Sequence, residues 1–208
     1  LPNTRSVVAM LDAIRNAYIQ FLRCLKPLDG VAPLLLRLYL APIFIQGGYN
    51  KFIAFDGTVE WFGNPDWGLG LPFPEFLVVL AAGSELVGGI CLIPGIAVRL
   101  FSIPLMVTMV VAIFTVHLPN GWLAISDASS WLANERVMEA VDKKQRIVEI
   151  LQQNGNYDWL TSSGPITILN NGVEFGATYL LMLLVLLFTG GGRYTSIDYW
   201  FRIRSEDN

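Results

Sequence analysis

Charge is scarce in this chain: Asp, Glu, Lys and Arg make up 15% of its 208 residues, against roughly 25% in an ordinary soluble domain. Histidine occurs once, as His117, which excludes a bis-histidine haem. Cysteine occurs twice, as Cys24 and Cys91, with no C-x-x-C pair for thiol exchange. Both fall toward the side expected to be cytoplasmic, where thiols stay reduced, so both read as buried small hydrophobes rather than a disulfide. A soft copper(I) site needs clustered thiolates or thioethers. Met106 and Met109 share a helix face, but His117 lies more than two turns further on, so no metal site is expected. Gly190-Gly191-Gly192-Arg193 follows an apolar helix rather than a strand, and it reads as a helix stop, not a phosphate loop. The opening residues are not expected to act as a secretory signal peptide. A net charge of -3 gives no reason to expect a nucleic-acid partner.

Long apolar runs are what the chain does have. Mean hydropathy is +0.50. Residues 31–53 and 76–98 are each long enough to cross a bilayer, which takes about 20 apolar residues of helix. Residues 100–117 and 173–189 are slightly short but workable with polar and aromatic flanks. The expected fold is all-α: a polytopic four-helix transmembrane bundle forming a single membrane domain over 1–208. Residues 5–26 read as an interfacial amphipathic helix, with Val7, Met10, Leu11, Ile14, Tyr18, Leu22 and Leu25 on one face.

Basic residues mark the orientation. Arg5, Arg15, Arg23 and Lys26 precede the first span, Arg99 lies between the second and third, and Arg193, Arg202 and Arg204 follow the fourth. The positive-inside rule then places both termini in the cytoplasm, in a multi-pass membrane protein. Residues 118–171 become an outward-facing insert, too long for a featureless loop. Its middle, about Ser130 to Gln153, reads as a helix capped by Ser129, Ser130 or Asn134, with a charged solvated face. The segment Phe55–Pro74, rich in Gly, Pro and aromatics, reads as an interfacial loop.

Two charges interrupt the apolar runs. Arg37 lies about 9 Å and Glu85 about 15 Å into their spans by helical rise, where a charge costs roughly 2.5–3.5 kcal/mol on insertion scales. An Arg37–Glu85 pair between spans one and two is therefore expected. Fixing helix register, lining a ligand cavity and relaying protons all fit such a pair. A second polar set, Lys51, His117 and Glu174, falls at the outer ends of spans one, three and four, where convergence and plain interfacial snorkelling are both open.

In order along the chain, these residues resemble the DoxX-like membrane family: Arg37, Gly47-Gly48 and Lys51; Glu85-x-x-Gly88-Gly89, Gly95 and Arg99; His117; and Gly191-Gly192-Arg193 with Ser196 and Asp198. Asn156-Tyr157-Asp158-Trp159-Leu160 and Leu169-Asn170-Asn171-Gly172-Val173-Glu174-Phe175 are similar to its HvfX-type branch, associated with copper-responsive gene clusters for modified peptides. The resemblance implies a four-span inner-membrane protein. The candidate site residues are Arg37, Glu85, Lys51, His117, Glu174 and Arg99, read as a ligand-binding or structural polar network. The sequence holds no self-contained catalytic motif and predicts no resident cofactor, although a quinone or a lipid is compatible with it. A non-catalytic subunit of a metal-stress or modified-peptide pathway is the first functional expectation, with a peptide, pathway protein or redox partner, or a second copy in an oligomer. A quinone-docking subunit using Arg37, Lys51 and His117 is the second, and small-solute transport the third.

Overall fold

A computed structural model describes residues 4–206, with side-chain surroundings for residues 10–201. Val7 of the amphipathic stripe, Arg5 beside it, and Arg202 and Arg204 of the tail lie outside the described side chains. The described residues are helical or irregular, with one isolated antiparallel bridge between Ile125 and Leu169.

Helix α1 spans Thr4–Leu25, α2 Val31–Ile53, α3 Phe55–Gly63, α4 Pro74–Leu92 and α5 Val98–Ala112. A π-helical turn, Ile113–His117, and a tight turn, Leu118–Asn120, prolong α5. Then come α6 (Glu135–Asn154), α7 (Tyr157–Leu160), α8 (Glu174–Thr189) and α9 (Ile197–Glu206). Among the described residues, three helical stretches, Val31–Ile53, Pro74–Leu92 and Val98–Asn120, are long and apolar enough to cross a membrane. Helix α8 is equally apolar, but its 16 residues reach only about 24 Å.

Small residues dictate the packing. Helix α2 lies on α4, α4 on α5, α5 on α8, and α8 on α2. A Cβ at Gly89 would stand 2.9 Å from the Ile45 nitrogen, and one at Gly48 would stand 2.7 Å from the Ala82 carbonyl oxygen. Glycine thus lets the α2 and α4 backbones touch, the close approach that replaces hydrophobic drive between helices in lipid. Leu40, Ala41, Phe44, Leu92, Val98, Leu105, Leu183 and Leu186 fill the centre. Leu35, Phe76, Leu100, Ile103, Phe114, Leu181 and Phe188 stay exposed on the outer flanks. An apolar exterior over a packed apolar centre suits a lipid solvent.

Several sequence expectations shift. The second span stops at Leu92, short of residue 98, because the turn that follows puts Gly95 at φ +69° and Ala97 at φ +47°. Residues 55–63 form α3 instead of a loop, burying Phe62 beside α4. The carbonyls of Trp61 and Phe62 then hold the return strand by accepting from Leu69 and Leu71. Helix α6 begins at Glu135 rather than Ser130, since Asn134 Oδ1 accepts the Val137 N–H and caps it. Cys24 is exposed rather than buried, and Cys91 is half-buried.

Candidate functional site

Polar groups gather at two ends of the helix cluster: a cap end, where the 118–173 connection sits, and a tail end, where α8 gives way to α9. Their partners differ from those the sequence suggests.

Arg37 is completely buried and does not pair with Glu85. Its Nη1 donates to the carbonyls of Leu92 and Ile93, each at 3.2 Å, and of Thr195 at 3.4 Å. Its Nη2 donates to Tyr194 at 2.9 Å and Thr195 at 3.5 Å. Two of these carbonyls close α4, where a helix leaves its last C=O groups without intrahelical partners. The guanidinium therefore satisfies a helix end and staples it to the segment before α9. Its Nε has no acceptor among the described residues. Space for this arrangement exists because residue 95 is glycine: a Cβ there would stand 2.3 Å from Arg37 Nη1.

The rest of the tail end reinforces that staple. Asp198 accepts from the N–H groups of Ala97 (2.6 Å) and Val98 (2.8 Å), and so caps the start of α5 across a long sequence gap. In return the N–H groups of Ile197 and Asp198 reach the carbonyls of Pro94 and Gly95. Ser196, almost wholly buried, donates to Gly95. Arg99 donates to the Phe188 carbonyl at 3.1 Å, and Arg193 pairs with Asp29 at 3.2 Å. The Tyr194 hydroxyl and Arg193 both donate to the Pro27 carbonyl.

Glu85 is also buried, and its partner is Lys51, at 2.5 Å. Glycine again makes the room. Gly47 sits one helical turn before Lys51, and a Cβ on it would stand 3.1 Å from Glu85 Oε2. The carboxylate occupies that notch and the lysine folds over it, keeping about a quarter of its own surface exposed. The Gly47–Lys51 spacing on one face is the sequence signal for this pairing.

His117 and Glu174 meet the cap, not Lys51. His117 Nδ1 lies 2.9 Å from the Asn171 carbonyl, and Glu174 Oε2 accepts the Ala124 N–H at 2.9 Å. Asn170, part of the Leu169–Phe175 motif but not among the six expected site residues, is the hub here. Its amide donates to the carbonyls of Asn120 and Leu123, and its oxygen accepts from Arg136 Nε. Arg136 was expected on a merely solvated face. Further out, Asp127 accepts from the Ser129 hydroxyl and N–H, which hold its carboxyl below the usual range. Of the six expected site residues, then, Lys51 and Glu85 come together directly, His117 and Glu174 share the cap connection, and Arg37 and Arg99 belong to the tail end.

Apolar-flanked helices with their polar groups drawn inward and to the ends define a helical integral membrane protein. Residues 32–118 match the DoxX family model, a stretch from α2 to the turn after α5 that contains Arg37, Lys51, Glu85, Arg99 and His117. The chain is also 35% identical over 88 residues to a Bacillus subtilis (strain 168) protein named "Putative oxidoreductase CatD". That alignment covers 42% of this chain and 61% of the relative. No solved structure matches.

Proposed function

We propose that the whole chain is a DoxX-type inner-membrane protein with four spans and a single membrane domain, acting as a binding or partner subunit. Both termini are cytoplasmic, and residues 118–171 form a periplasmic cap. The observation that carries this reading is the use already made of the inward-drawn charges, Arg37 and Glu85 buried and Glu174 and Asp198 half-buried. Arg37 is engaged with main-chain carbonyls, Glu85 with Lys51, and Glu174 and Asp198 with main-chain N–H groups. These groups hold helices together, which leaves recognition to the cap and its exposed aromatics Trp131 and Trp159, with exposed Trp67 on the connection between α3 and α4. Such residues are enriched where proteins meet partners or the lipid–water boundary. In the finer version of this reading the partner is a modified peptide, or a protein of its copper-responsive pathway, in keeping with the HvfX-type residues of the cap.

The test is co-purification of the tagged chain from membranes with and without the 131–160 part of the cap. Retention of a defined peptide or protein only by the intact cap supports the reading. Identical partners with and without it would overturn it.

A second reading has one observation in its favour, the oxidoreductase name of the Bacillus relative. In it the chain docks a quinone for a redox partner, with Lys51 and His117 as donors near the cap end. Bound quinone in the purified chain, lost in Lys51→Met, would favour this reading over the first.

A further inference from the structure

A cavity of about 830 Å³ opens at the tail end between the start of α2, the start of α5 and the end of α8. Its walls are mixed. Pro33, Leu100 and Val185 give an apolar side, and Arg99, Arg193 and Thr189 give a polar one. The ion pairing inside it is uneven. Asp29 is taken by Arg193, and both oxygens of Asp198 are taken by the Ala97 and Val98 N–H groups. Arg99 has no carboxylate partner among the described residues, and of its five N–H donors one is used, on the Phe188 carbonyl. The Arg99 guanidinium also lies beside Gly190, where a Cβ would approach its Nε to 3.4 Å, so this wall is open main chain.

The cavity's position decides what reaches it. Leu100, Val185 and Phe188 are exposed on the same flank, with Phe188 at 73%, and they continue the apolar surface of the spans. A ligand suited to this place has a compact anion at one end and hydrocarbon at the other. We infer that the cavity seats the anionic headgroup of a membrane phospholipid, its phosphate on Arg99 and an acyl chain along Leu100, Val185 and Phe188. Basic pockets between spans are a recurring way to hold such headgroups, and a guanidinium suits phosphate oxygens through paired N–H donors. A lipid seated here bridges α5 to α8, the join that otherwise rests at this end on Arg99 and the Phe188 carbonyl.

Native mass spectrometry of the 208-residue chain in mild detergent tests this, with phosphatidylglycerol, phosphatidylcholine and inorganic phosphate added in turn. Phosphatidylglycerol should be retained in preference to phosphatidylcholine. Arg99→Gln should weaken that retention roughly fivefold, the size expected for one basic residue at an anionic headgroup. Arg99→Lys, which keeps the charge but loses the paired donors, should weaken it less than Arg99→Gln, and Arg146→Gln on α6 should change nothing. Should Arg99→Gln fail to fold, Val185→Trp takes its place by filling the apolar wall, with the same loss expected. Equal retention of the two lipids by the unaltered chain overturns the inference. So does an unchanged preference in the folded variants, or displacement of the lipid by inorganic phosphate, which would mark a site for a soluble anion.

Discussion

At the scale of single residues, one glycine decides where each buried charge goes. Gly47 makes the notch that holds the Glu85 carboxylate under Lys51, and Gly95 makes the space that admits the Arg37 guanidinium. Removing Lys51 leaves a buried carboxylate alone, whereas removing both charges leaves neither stranded. Lys51→Met should therefore cost about 1–3 kcal/mol, discounted because the lysine is partly exposed. Glu85→Gln should cost less, and the double variant should recover most of the loss. Thermal unfolding of all four proteins in one detergent checks this, and strictly additive losses would show that the pair is not coupled. Arg37→Met strands main-chain carbonyls at Leu92, Ile93, Tyr194 and Thr195, for an expected loss of roughly 3 kcal/mol or more. A melting temperature unchanged in Arg37→Met would remove the staple from the account.

At the scale of elements, helix ends are closed by residues remote in sequence. The start of α5 has no side-chain cap of its own, and Asp198 on α9 supplies one. Asp198→Ala should cost about 1–2 kcal/mol, and it should raise hydrogen exchange at Ala97 and Val98 together with the first turn of α9. Exchange raised on α9 alone would mean that the cap does little for α5. The contrasting case is α6, which Asn134 caps locally. Asn134→Ala should cost about 1 kcal/mol and loosen α6 without touching α5.

At the scale of the whole molecule, orientation is the open physical quantity. Arg15, Arg23, Arg99 and Arg193 all belong to the tail end or its approach, and the connection from α2 to α4, which contains α3 and carries Asp56, Glu60 and Asp66, belongs to the cap end. The positive-inside rule then predicts that a cysteine replacing Ser163, in a background lacking Cys24 and Cys91, reacts with an impermeant thiol reagent added outside spheroplasts. Cys24 kept alone should stay unlabelled until the membrane is opened. The reverse pattern would invert the topology.

Composition and hydropathic length were enough to read the apolar helices α2, α4, α5 and α8, because lipid demands that each span satisfy its own main chain and face outward with apolar side chains. Helix α3 reads as a loop by the same criteria, and α9 is not read. The limits of α2 are read correctly to the residue, and those of α8 to within one. The outer helix was legible from its periodicity, and its cap was among three residues named for it. The partners of the buried charges were not legible. Depth along a helix says how far in a charge lies, but not which face it takes or what the neighbouring backbone leaves unsatisfied. Arg37 and Glu85 seemed matched because both were costly and both were deep. Only the packed helices show open carbonyls at the end of α4 that draw Arg37 one way, and a glycine notch that gives Glu85 to Lys51.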